Sequence, residues 1–316
     1  MRLFTAEQHK EILTAAEADS EAAGVYSARC GKTISRELVR YWRRVFLDND
    51  GKLAKADREL KESRTLRKPD PDEDIGNFLP ERTYERILVI PDLHAPYQHK
   101  DALRFLKAVK AEFDPDLVVC LGDELDYHAM SFHDSDPNLD SAGVELERGK
   151  AFLAKLYREF PTLLMCHSNH GSMQFRRAKA HGLPVQLIKS YREVIFPQHG
   201  APGWSWAYQW KVSTPLGPVL FKHQASGSII ADAAHNGANL IVGHSHGQFG
   251  VEYSASSAHL YYGAYAGCLI DKDSLAFAYG KHSLRKPIIG CIVVLDGKPV
   301  PVPMVLDKAG RWIGRL

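Results

Sequence analysis

Four short, uninterrupted apolar runs constrain the fold of this chain more than any other feature of its sequence. They are RILVI at 86–90, LVVCL at 117–121, TLLMC at 162–166 and NLIV at 239–242. Runs of this length are typical of strands that are buried on both faces of a sheet. Stretches with helical spacing separate them, as at 101–113, where Ala102, Phe105 and Val109 fall on one helix face. Alternating strands and helices predict an α/β domain.

The second half of the chain also predicts antiparallel pairing. WSWAYQWKV at 204–212 reads as one strand with its large aromatic residues on one face. This aromatic face is interpreted as core or cross-strand packing, and a base-stacking platform is the alternative. Asp296-Gly297 predicts a hairpin turn. The alternating prolines of PVPVP at 299–303 predict an edge strand, because proline has no N–H to donate to a second neighbour.

Residues 1–50 predict a small module of short helices. An Ala- and Glu-rich stretch is followed by a turn at Gly31 and a second helix with Ser35 as its N-cap. The apolar face of this second helix is predicted to contain Leu38, Trp42 and Phe46. A helix, a glycine-containing turn and a second, basic helix make the pattern of a helix-turn-helix.

Basic charge is concentrated in this N-terminal region. Residues 1–69 contain 15 Lys+Arg against 11 Asp+Glu, whereas the net charge of the whole chain is only +2. The module resembles the small helix-turn-helix modules of transposase- and phage-type DNA-binding proteins. The alternative is a helical hairpin with a solvated basic face. If the module binds DNA, the predicted contacts are Arg36, Arg40, Arg43 and Arg44.

Residues 51–83 are polar and end in a proline- and acid-rich stretch, which predicts a charged linker between the module at 1–50 and a catalytic domain at 84–316. No apolar run approaches the roughly 20 residues of a membrane span, and the N-terminus lacks the apolar core of a signal peptide. The five cysteines are scattered without CxxC spacing. We therefore expect a cytoplasmic protein with reduced thiols and no membrane partner.

Side chains suited to metal binding follow the four apolar runs and a fifth predicted strand, VLFK at 219–222. They are Asp92 and His94, Asp123 and Asp126, Asn169 and His170, His223, and His244 with His246. The carboxyl ends of strands in an open α/β sheet meet at one crevice, so these groups are predicted to be neighbours. Carboxylates, imidazoles and an amide oxygen suit Mn²⁺, Fe²⁺ or Zn²⁺, and the absence of cysteine ligands argues against a structural zinc. About seven ligands are enough for two ions.

The motif order D-x-H, G-D-x-x-D, N-H, H and G-H-x-H resembles the calcineurin-like metallophosphoesterase superfamily, which includes phosphatases and nucleases of the SbcD/Mre11 type. The resemblance covers roughly residues 84–316. It implies a four-layer α/β/β/α sandwich of two mixed β-sheets, here preceded by a small all-α module. It also implies two divalent ions, with Mn²⁺ favoured and Fe or Zn as alternatives. Asp92, His94 and His246 would bind the first ion, Asn169, His223 and His244 the second, and Asp123 would bridge both.

The same resemblance implies a mechanism in which a metal-bridging hydroxide attacks phosphorus directly. His170 would stabilise or protonate the leaving oxygen, and Asp126 would pair with His170 and raise its pKa. This sequence departs from the family pattern at Ser168 and Gly171, where a glycine and an acid are usual. Tyr127 stands where the protein phosphatases have an arginine, which weakens the prediction of a protein phosphatase.

The expected activity is that of a phosphodiesterase or nuclease acting on DNA. One alternative is a phosphatase or phosphodiesterase of a nucleotide or other small phosphoester, and another is a DNA-binding protein with a weakly active phosphoesterase scaffold. Four further residues are candidates for substrate binding: His128, His133, Arg176 and Arg177. The alternative for the histidines is an exposed loop, and for the arginines a solvated helix face.

Overall fold

The computed structural model describes residues 4–47, 77–132, 136–257, 259–280 and 284–316. Tertiary contacts divide the chain into two compact units, Met1–Lys68 and Pro69–Leu316. Among the helices described, none combines the length and apolar character that a membrane span requires. All five cysteines are free thiols, and four of them are buried.

The first unit contains three helices, α1 at Ala6–Ala15, α2 at Asp19–Cys30 and α3 at Arg36–Phe46. Gly31 ends α2 in the left-handed conformation with φ 68°, which glycine adopts without a steric penalty. The Ser35 hydroxyl accepts the N–H of Leu38 at 3.2 Å and caps α3. The predicted turn and N-cap are therefore confirmed.

The apolar face of α3 differs from the prediction. Val39 is fully buried, whereas Leu38 is 38% exposed. The reason is tertiary packing, because the ring of Trp42 lies against the rings of His9 and Tyr26, with centroids 4.7 and 4.6 Å apart. These contacts turn α3 so that Val39 enters the core and Leu38 faces outward.

The second unit contains two six-stranded sheets. Their strands are β1 Asn77–Thr83, β2 Arg86–Ile90, β3 Leu117–Cys120, β4 Leu163–Cys166, β5 Trp204–Ala207, β6 Gln209–Thr214, β7 Gly217–Lys222, β8 Asn239–Val242, β9 Phe249–Ala255, β10 Leu260–Ala266, β11 Gly290–Leu295 and β12 Lys298–Pro303. The orders are β1-β6-β7-β8-β10-β9 and β12-β11-β2-β3-β4-β5. Both sheets are mixed, with parallel pairing between β2, β3, β4 and β5 and between β7, β8 and β10.

Helices cover the outer faces of the two sheets. They are α4 Ala102–Phe113, α5 Ala142–Glu159, α6 Met173–Ala180, α7 Tyr191–Ile195 and α8 Ile229–His235, with 3-10 helices at His128–Met130, Val185–Leu187 and Leu275–Gly280. Val89 and Ile241 lie in the core between the sheets. Phe105 of α4 belongs to the core outside one sheet, and Ile229 of α8 to the core outside the other. The four-layer sandwich expected from the sequence is confirmed.

The aromatic stretch at 204–212 forms two strands rather than the one predicted. β5 pairs with β4 in one sheet, and β6 pairs with β7 in the other, with Tyr208 between them. Trp204 and Trp210 therefore enter different cores. Each indole also donates a hydrogen bond to a main-chain carbonyl, at 2.7 and 2.9 Å. The predicted alternation of aromatic and other side chains holds within each strand. The chain, however, passes from one sheet to the other between β5 and β6.

The two ends of this unit form edge strands. Asp296 and Gly297 have φ values of 51° and 89° in the turn between β11 and β12, and β12 is the outermost strand of its sheet. The predicted hairpin and edge strand are therefore confirmed. At the other end, residues 77–83 form β1, which pairs in parallel with β6. This strand overlaps the carboxyl end of the predicted linker, and residues 51–76 of that linker lie outside the described residues.

Asp101, directly before α4, binds the C-terminal segment. Its carboxylate accepts two hydrogen bonds from the Arg311 guanidinium, at 2.7 and 2.6 Å, and one from the N–H of Trp312 at 3.1 Å. Asp101 is buried, and the hydrogen bonds from Arg311 hold the pKa of its carboxyl well below the usual range. The pair therefore stabilises the folded state only while Asp101 is ionised.

Asp101→Asn is expected to lower the free energy of unfolding by about 1–2 kcal/mol at pH 7, since Arg311 is half-exposed and partly screened. The pKa of Asp101 is lower in the folded than in the unfolded state. Its contribution is therefore complete above the unfolded pKa of about 3.9 and is lost as the pH falls towards the folded pKa. Urea denaturation at pH 7 and pH 3 measures this, with exposed Asp114→Asn as the control. A difference from wild type that is the same at both pH values would contradict it.

Candidate metal centre

The predicted ligands come from loops at the carboxyl ends of strands in both sheets. Asp92 follows β2, Asp123 follows β3 and Asn169 follows β4 in one sheet, whereas His223 follows β7 and His244 follows β8 in the other. The loops meet directly, because the N–H of His244 donates to Asp92 Oδ2 at 2.8 Å. His223 Nε2 lies 2.7 Å from Asn169 Oδ1. The structure therefore brings together side chains that are far apart in the sequence, up to the 154 residues (246 − 92) between Asp92 and His246.

One group of ligand atoms contains Asp92, His94 and His246, the three residues predicted to bind the first ion. His94 Nε2 and His246 Nε2 are 3.1 Å apart, and His246 Nε2 is 3.1 Å from Asp92 Oδ2. His94 Nδ1 is 2.6 Å from Asp126 Oδ1. A carboxylate on the far nitrogen of an imidazole fixes the ring so that its other nitrogen points at a metal.

A second group contains Asp123, His223 and His244. His223 Nε2 lies 3.1 Å from His244 Nδ1 and 3.3 Å from Asp123 Oδ2. The same Asp123 Oδ2 is 3.4 Å from His94 Nε2 in the first group. Asp123 therefore lies between the two groups, where a bridging ligand is predicted.

The donor set fits divalent cations. Asp92 Oδ1 is fully buried and has no hydrogen-bond partner among the described residues. Such an atom is costly to bury unless a cation or a donor satisfies it. A Cβ added at Gly243 would collide with Asp92 Oδ1, so only glycine leaves room for this carboxylate. Carboxylates with imidazoles suit Mn²⁺, Fe²⁺ and Zn²⁺.

The charges of the centre also favour a cation. Burial raises the pKa of the Asp123 carboxyl, but the charges of the surrounding histidines, His223 first, lower it by more, so that it lies well below its usual range. Burial lowers the pKa of His223, but Asp123 and then Asp92 raise it by more, to about 9. Both shifts have the same cause, since two buried carboxylates among imidazoles attract positive charge. A divalent cation supplies that charge in place of the proton on His223.

Asp126 and His170 interact less directly than the sequence predicts. His170 Nδ1 donates to the main-chain oxygen of Asp126 and lies 3.7 Å from its carboxylate, whose shorter contact is with His94. Burial lowers the pKa of His170, but the charges of Asp123 and Asp126 raise it by more, so the net shift is upward, in the predicted direction. The main chain of Asp126 therefore orients His170, and its carboxylate orients His94.

Three residues of the two groups have left-handed backbone conformations. His94, Asp123 and His244 have φ values of 51°, 48° and 62°. This region is uncommon for residues other than glycine, although Asn, Asp and His tolerate it best. The left-handed turns aim successive side chains into the centre. The sequence has no local signal for these conformations, because none of the three residues is a glycine.

Ser168, which stands where the family has a glycine, connects two of the ligand loops. Its hydroxyl accepts the N–H of Asp123 at 2.9 Å and the N–H of Gly171 at 3.0 Å. The serine is buried, and its Cβ would be 2.6 Å from a Cβ at Gly122. The departure from the family motif therefore adds an acceptor that positions the bridging carboxylate.

Ser168→Ala is expected to lower the affinity for Mn²⁺ by about 10-fold or more, because losing a group that orients a ligand typically costs about 10–100-fold. Isothermal titration with MnCl₂ measures the effect, and Ser205→Ala, at an exposed position on β5, is the matched control. Ser168→Gly restores the usual motif residue without restoring the acceptor, so it should resemble the alanine variant. An affinity within two-fold of wild type would contradict the positioning role of Ser168.

The predicted substrate-binding residues occupy different environments. His128 is buried, and its Nε2 accepts the N–H of Asp136 at 3.2 Å, so this ring supports its loop. The Arg177 guanidinium donates to the main-chain oxygens of Met130 and Ser131 in the same loop. Arg176 is exposed, and His133 lies outside the described residues. Of the three described residues in this set, Arg176 is the one that is exposed.

Sequence reasoning missed the buried carboxylate of Glu145. It accepts the N–H groups of His128 and Ala129 at 2.6 and 2.9 Å, and burial raises its pKa to about 7. A signal was present, because Glu145 falls on the same face of α5 as Gly149 and Phe152, which are also buried. An acid within the apolar stripe of an amphipathic helix indicates a buried carboxylate with main-chain partners.

Comparisons with known proteins found a matching family and similar solved structures. The profile of the family described as calcineurin-like phosphoesterase matches residues 85–248, about half of the chain. Vps29 from Chaetomium thermophilum is similar in structure, with a TM-score of 0.38 and 13% identity, covering 73% of this chain and 93% of that one. Vacuolar protein sorting 29 from Cryptosporidium parvum has a TM-score of 0.37 and 13% identity, covering 70% and 97%. No curated protein matches the sequence.

Proposed function

Because the chain belongs to the calcineurin-like phosphoesterase family, we propose that it is a metal-dependent phosphodiesterase whose preferred substrate is DNA. The observation that carries the hydrolytic part is the position of Asp123 between two groups of ligand atoms. Asp92, His94 and His246 would bind one divalent ion, and Asn169, His223 and His244 the other, with Asp123 shared. Bound ions would activate water for attack on phosphorus and neutralise charge on the phosphoryl oxygens.

The protein side chains have separate tasks in this proposal. The Asp126 carboxylate accepts a hydrogen bond from His94 Nδ1, which leaves His94 Nε2 without a proton and free to bind a metal. His170 Nδ1 donates to the main chain of Asp126, which leaves Nε2 as the atom that gives a proton to the leaving oxygen. The arrangement needs no covalent bond between the protein and phosphorus.

The proposal of DNA as substrate rests on the N-terminal unit. α3 follows α2 through a left-handed glycine, and three of its four predicted DNA-binding arginines are exposed: Arg36, Arg40 and Arg44. Arg43 has another role, because its guanidinium binds Asp19 and the main-chain oxygens of Leu13 and Ala16, at 2.9–3.2 Å. The three exposed arginines are suited to phosphate contacts.

A substrate panel tests the proposed activity. The Mn²⁺-loaded protein is assayed on single- and double-stranded DNA, bis-p-nitrophenyl phosphate and p-nitrophenyl phosphate, with Asp92→Asn as the inactive control. Cleavage of DNA that the variant lacks would support the proposal. Turnover of the monoester alone would favour the alternative of a small-molecule phosphatase. An absence of metal-dependent hydrolysis would favour a DNA-binding protein with a weakly active scaffold.

The DNA-binding role of α3 has its own test. Replacing Arg36 and Arg44 by Gln should reduce the slope of log K against log salt concentration by about two for duplex DNA, since each lost phosphate contact removes about 0.9. Fluorescence anisotropy with a labelled duplex measures the slope. Lys10→Gln removes an exposed charge on α1 and should leave the slope nearly unchanged. An unchanged slope in the Arg36/Arg44 variant would refute this role of α3.

A further inference from the structure

Phe132 presents an aromatic ring to solvent beside the metal centre. The residue is 49% exposed, and two guanidinium groups lie over its ring, with Arg177 Cζ at 4.3 Å and Arg176 Cζ at 5.0 Å from the centroid. A single exposed apolar residue is ordinary on a protein surface. Here two arginines of one helix, α6, both contact the exposed ring. This arrangement is more specific, because guanidinium groups and aromatic faces attract each other.

The main chain directly before Phe132 is held by hydrogen bonds from two other elements. The Arg177 guanidinium donates to the carbonyls of the two residues that precede the ring, Met130 and Ser131. The buried carboxylate of Glu145 accepts two N–H groups at the start of the same loop, as described above. These contacts hold the main chain at 128–131 and so reduce the entropy cost of ordering the ring on binding.

The same contacts place the ring close to the ligand loops. Arg176 Nη1 donates to the main-chain oxygen of Asn169 at 3.3 Å, and Asn169 is one of the predicted metal ligands. At the other end of the Phe132 loop, the main-chain oxygen of Asp126 accepts from His170. Phe132 thus contacts Arg176, and Arg176 in turn contacts Asn169. The exposed guanidinium of Arg176 therefore contacts both the Phe132 ring and the main chain of a predicted metal ligand.

We propose that Phe132 and Arg176 form a subsite for a nucleobase and its adjacent phosphate, in which the base stacks on Phe132 and the phosphate pairs with Arg176. The inference rests on the proposed phosphodiesterase function and names the chemistry recognised beside the scissile bond. The same chemistry is present in a DNA strand and in a free nucleotide. Stacking on an aromatic side chain tolerates any base, so the subsite distinguishes nucleotide esters from alkyl esters and does not read sequence.

Two p-nitrophenyl diesters of phosphate separate recognition of the base from catalysis. One carries thymidine as its second alcohol and the other carries methanol. Phe132→Leu retains an apolar side chain but removes the ring, and it should lower kcat/KM about 10-fold for the thymidine ester and less than two-fold for the methyl ester. Phe132→Trp should retain the preference. Tyr41→Leu, which removes an exposed ring of the N-terminal unit, is the matched control and should change neither value.

Binding to the metal-free protein provides a readout that is independent of hydrolysis. A hexanucleotide containing one 2-aminopurine should lose fluorescence when its base stacks on Phe132, and Phe132→Leu should abolish this quenching. Arg176→Gln should weaken binding and reduce its salt dependence, whereas Arg176→Lys should retain most of both. If binding quenches the fluorescence of the free 2-aminopurine deoxynucleotide as well as that of the hexanucleotide, the subsite binds free nucleotides. If only the fluorescence of the hexanucleotide is quenched, the subsite binds a strand.

The outcomes separate the two proposals. Equal losses for both esters, or no loss for either, together with quenching that does not depend on Phe132, would overturn the subsite while leaving the hydrolytic function intact. Phe132-dependent quenching without hydrolysis of any diester would overturn the hydrolytic function and support the subsite.

Discussion

The Asp123→Asn variant is expected to lose metal-dependent phosphodiester hydrolysis and to bind Mn²⁺ more than about 100-fold more weakly, because loss of a partner outside the ligands alone costs about 10–100-fold. Asp123 Oδ2 lies 3.3–3.4 Å from imidazole nitrogens of both ligand groups, so one substitution affects both predicted ions. Asparagine has nearly the same shape and tolerates the left-handed backbone at this position. The variant therefore isolates the effect of the charge.

Isothermal titration with MnCl₂ and hydrolysis of bis-p-nitrophenyl phosphate measure the two effects. Glu147→Gln is the matched control, since it removes a carboxylate that is 70% exposed on α5. Circular dichroism establishes that both variants are folded. Affinity within about 10-fold of wild type in Asp123→Asn would contradict the bridging position.

The Lys222→Met variant is expected to lower the free energy of unfolding of the second unit by about 3–5 kcal/mol, the usual cost of leaving a buried charge without its partner. Lys222 Nζ lies 2.6 Å from Asp232 Oδ2, and both side chains are buried. The Asp232 carboxylate also accepts the N–H of Ser226 at 2.7 Å. The pair therefore joins the end of β7, which precedes His223, to α8.

Differential scanning calorimetry follows the transition of the second unit, since a chain with two units need not unfold in one step. Lys150→Met is the matched control, because its partner Glu147 is exposed and a surface pair contributes about 0–1 kcal/mol. Replacing Asp232 by Leu in the Lys222→Met background should recover part of the loss, since no charge is then left buried. Equal effects of Lys222→Met and Lys150→Met would show that the buried pair adds nothing.

The sequence was sufficient to predict that the candidate metal ligands lie together. The reason is topological, because strand ends in a sandwich of this kind face one edge, and each motif residue follows a strand directly. The helix-turn-helix pattern was predictable for a local reason, since Gly31 and Ser35 act on their immediate neighbours. The turn and cap residues thus predicted the helices of the first unit, and the strand ends predicted which candidate ligands lie together.

Features that depend on tertiary contacts were not predictable. The rotation of α3 depends on rings contributed by α1 and α2, so spacing within α3 alone misplaced Leu38. The change of sheet at Tyr208 depends on which strands pair with each half of the aromatic stretch. In the sequence, Arg43 is indistinguishable from the other arginines of α3. In the structure, it binds main-chain oxygens at the end of α1 and just beyond it. Side-chain identity does not specify which distant group completes such contacts.

The left-handed conformations of His94, Asp123 and His244 imply a trade-off between the stability of the fold and its activity. Glycine would relieve the backbone cost of about 1 kcal/mol at each position, and no other residue adopts this conformation so freely. Selection for thermal stability alone would therefore favour glycine at the positions where selection for hydrolysis requires a ligand. In a duplicated copy released from its catalytic role, these three positions would no longer be restricted to residues that strain the backbone.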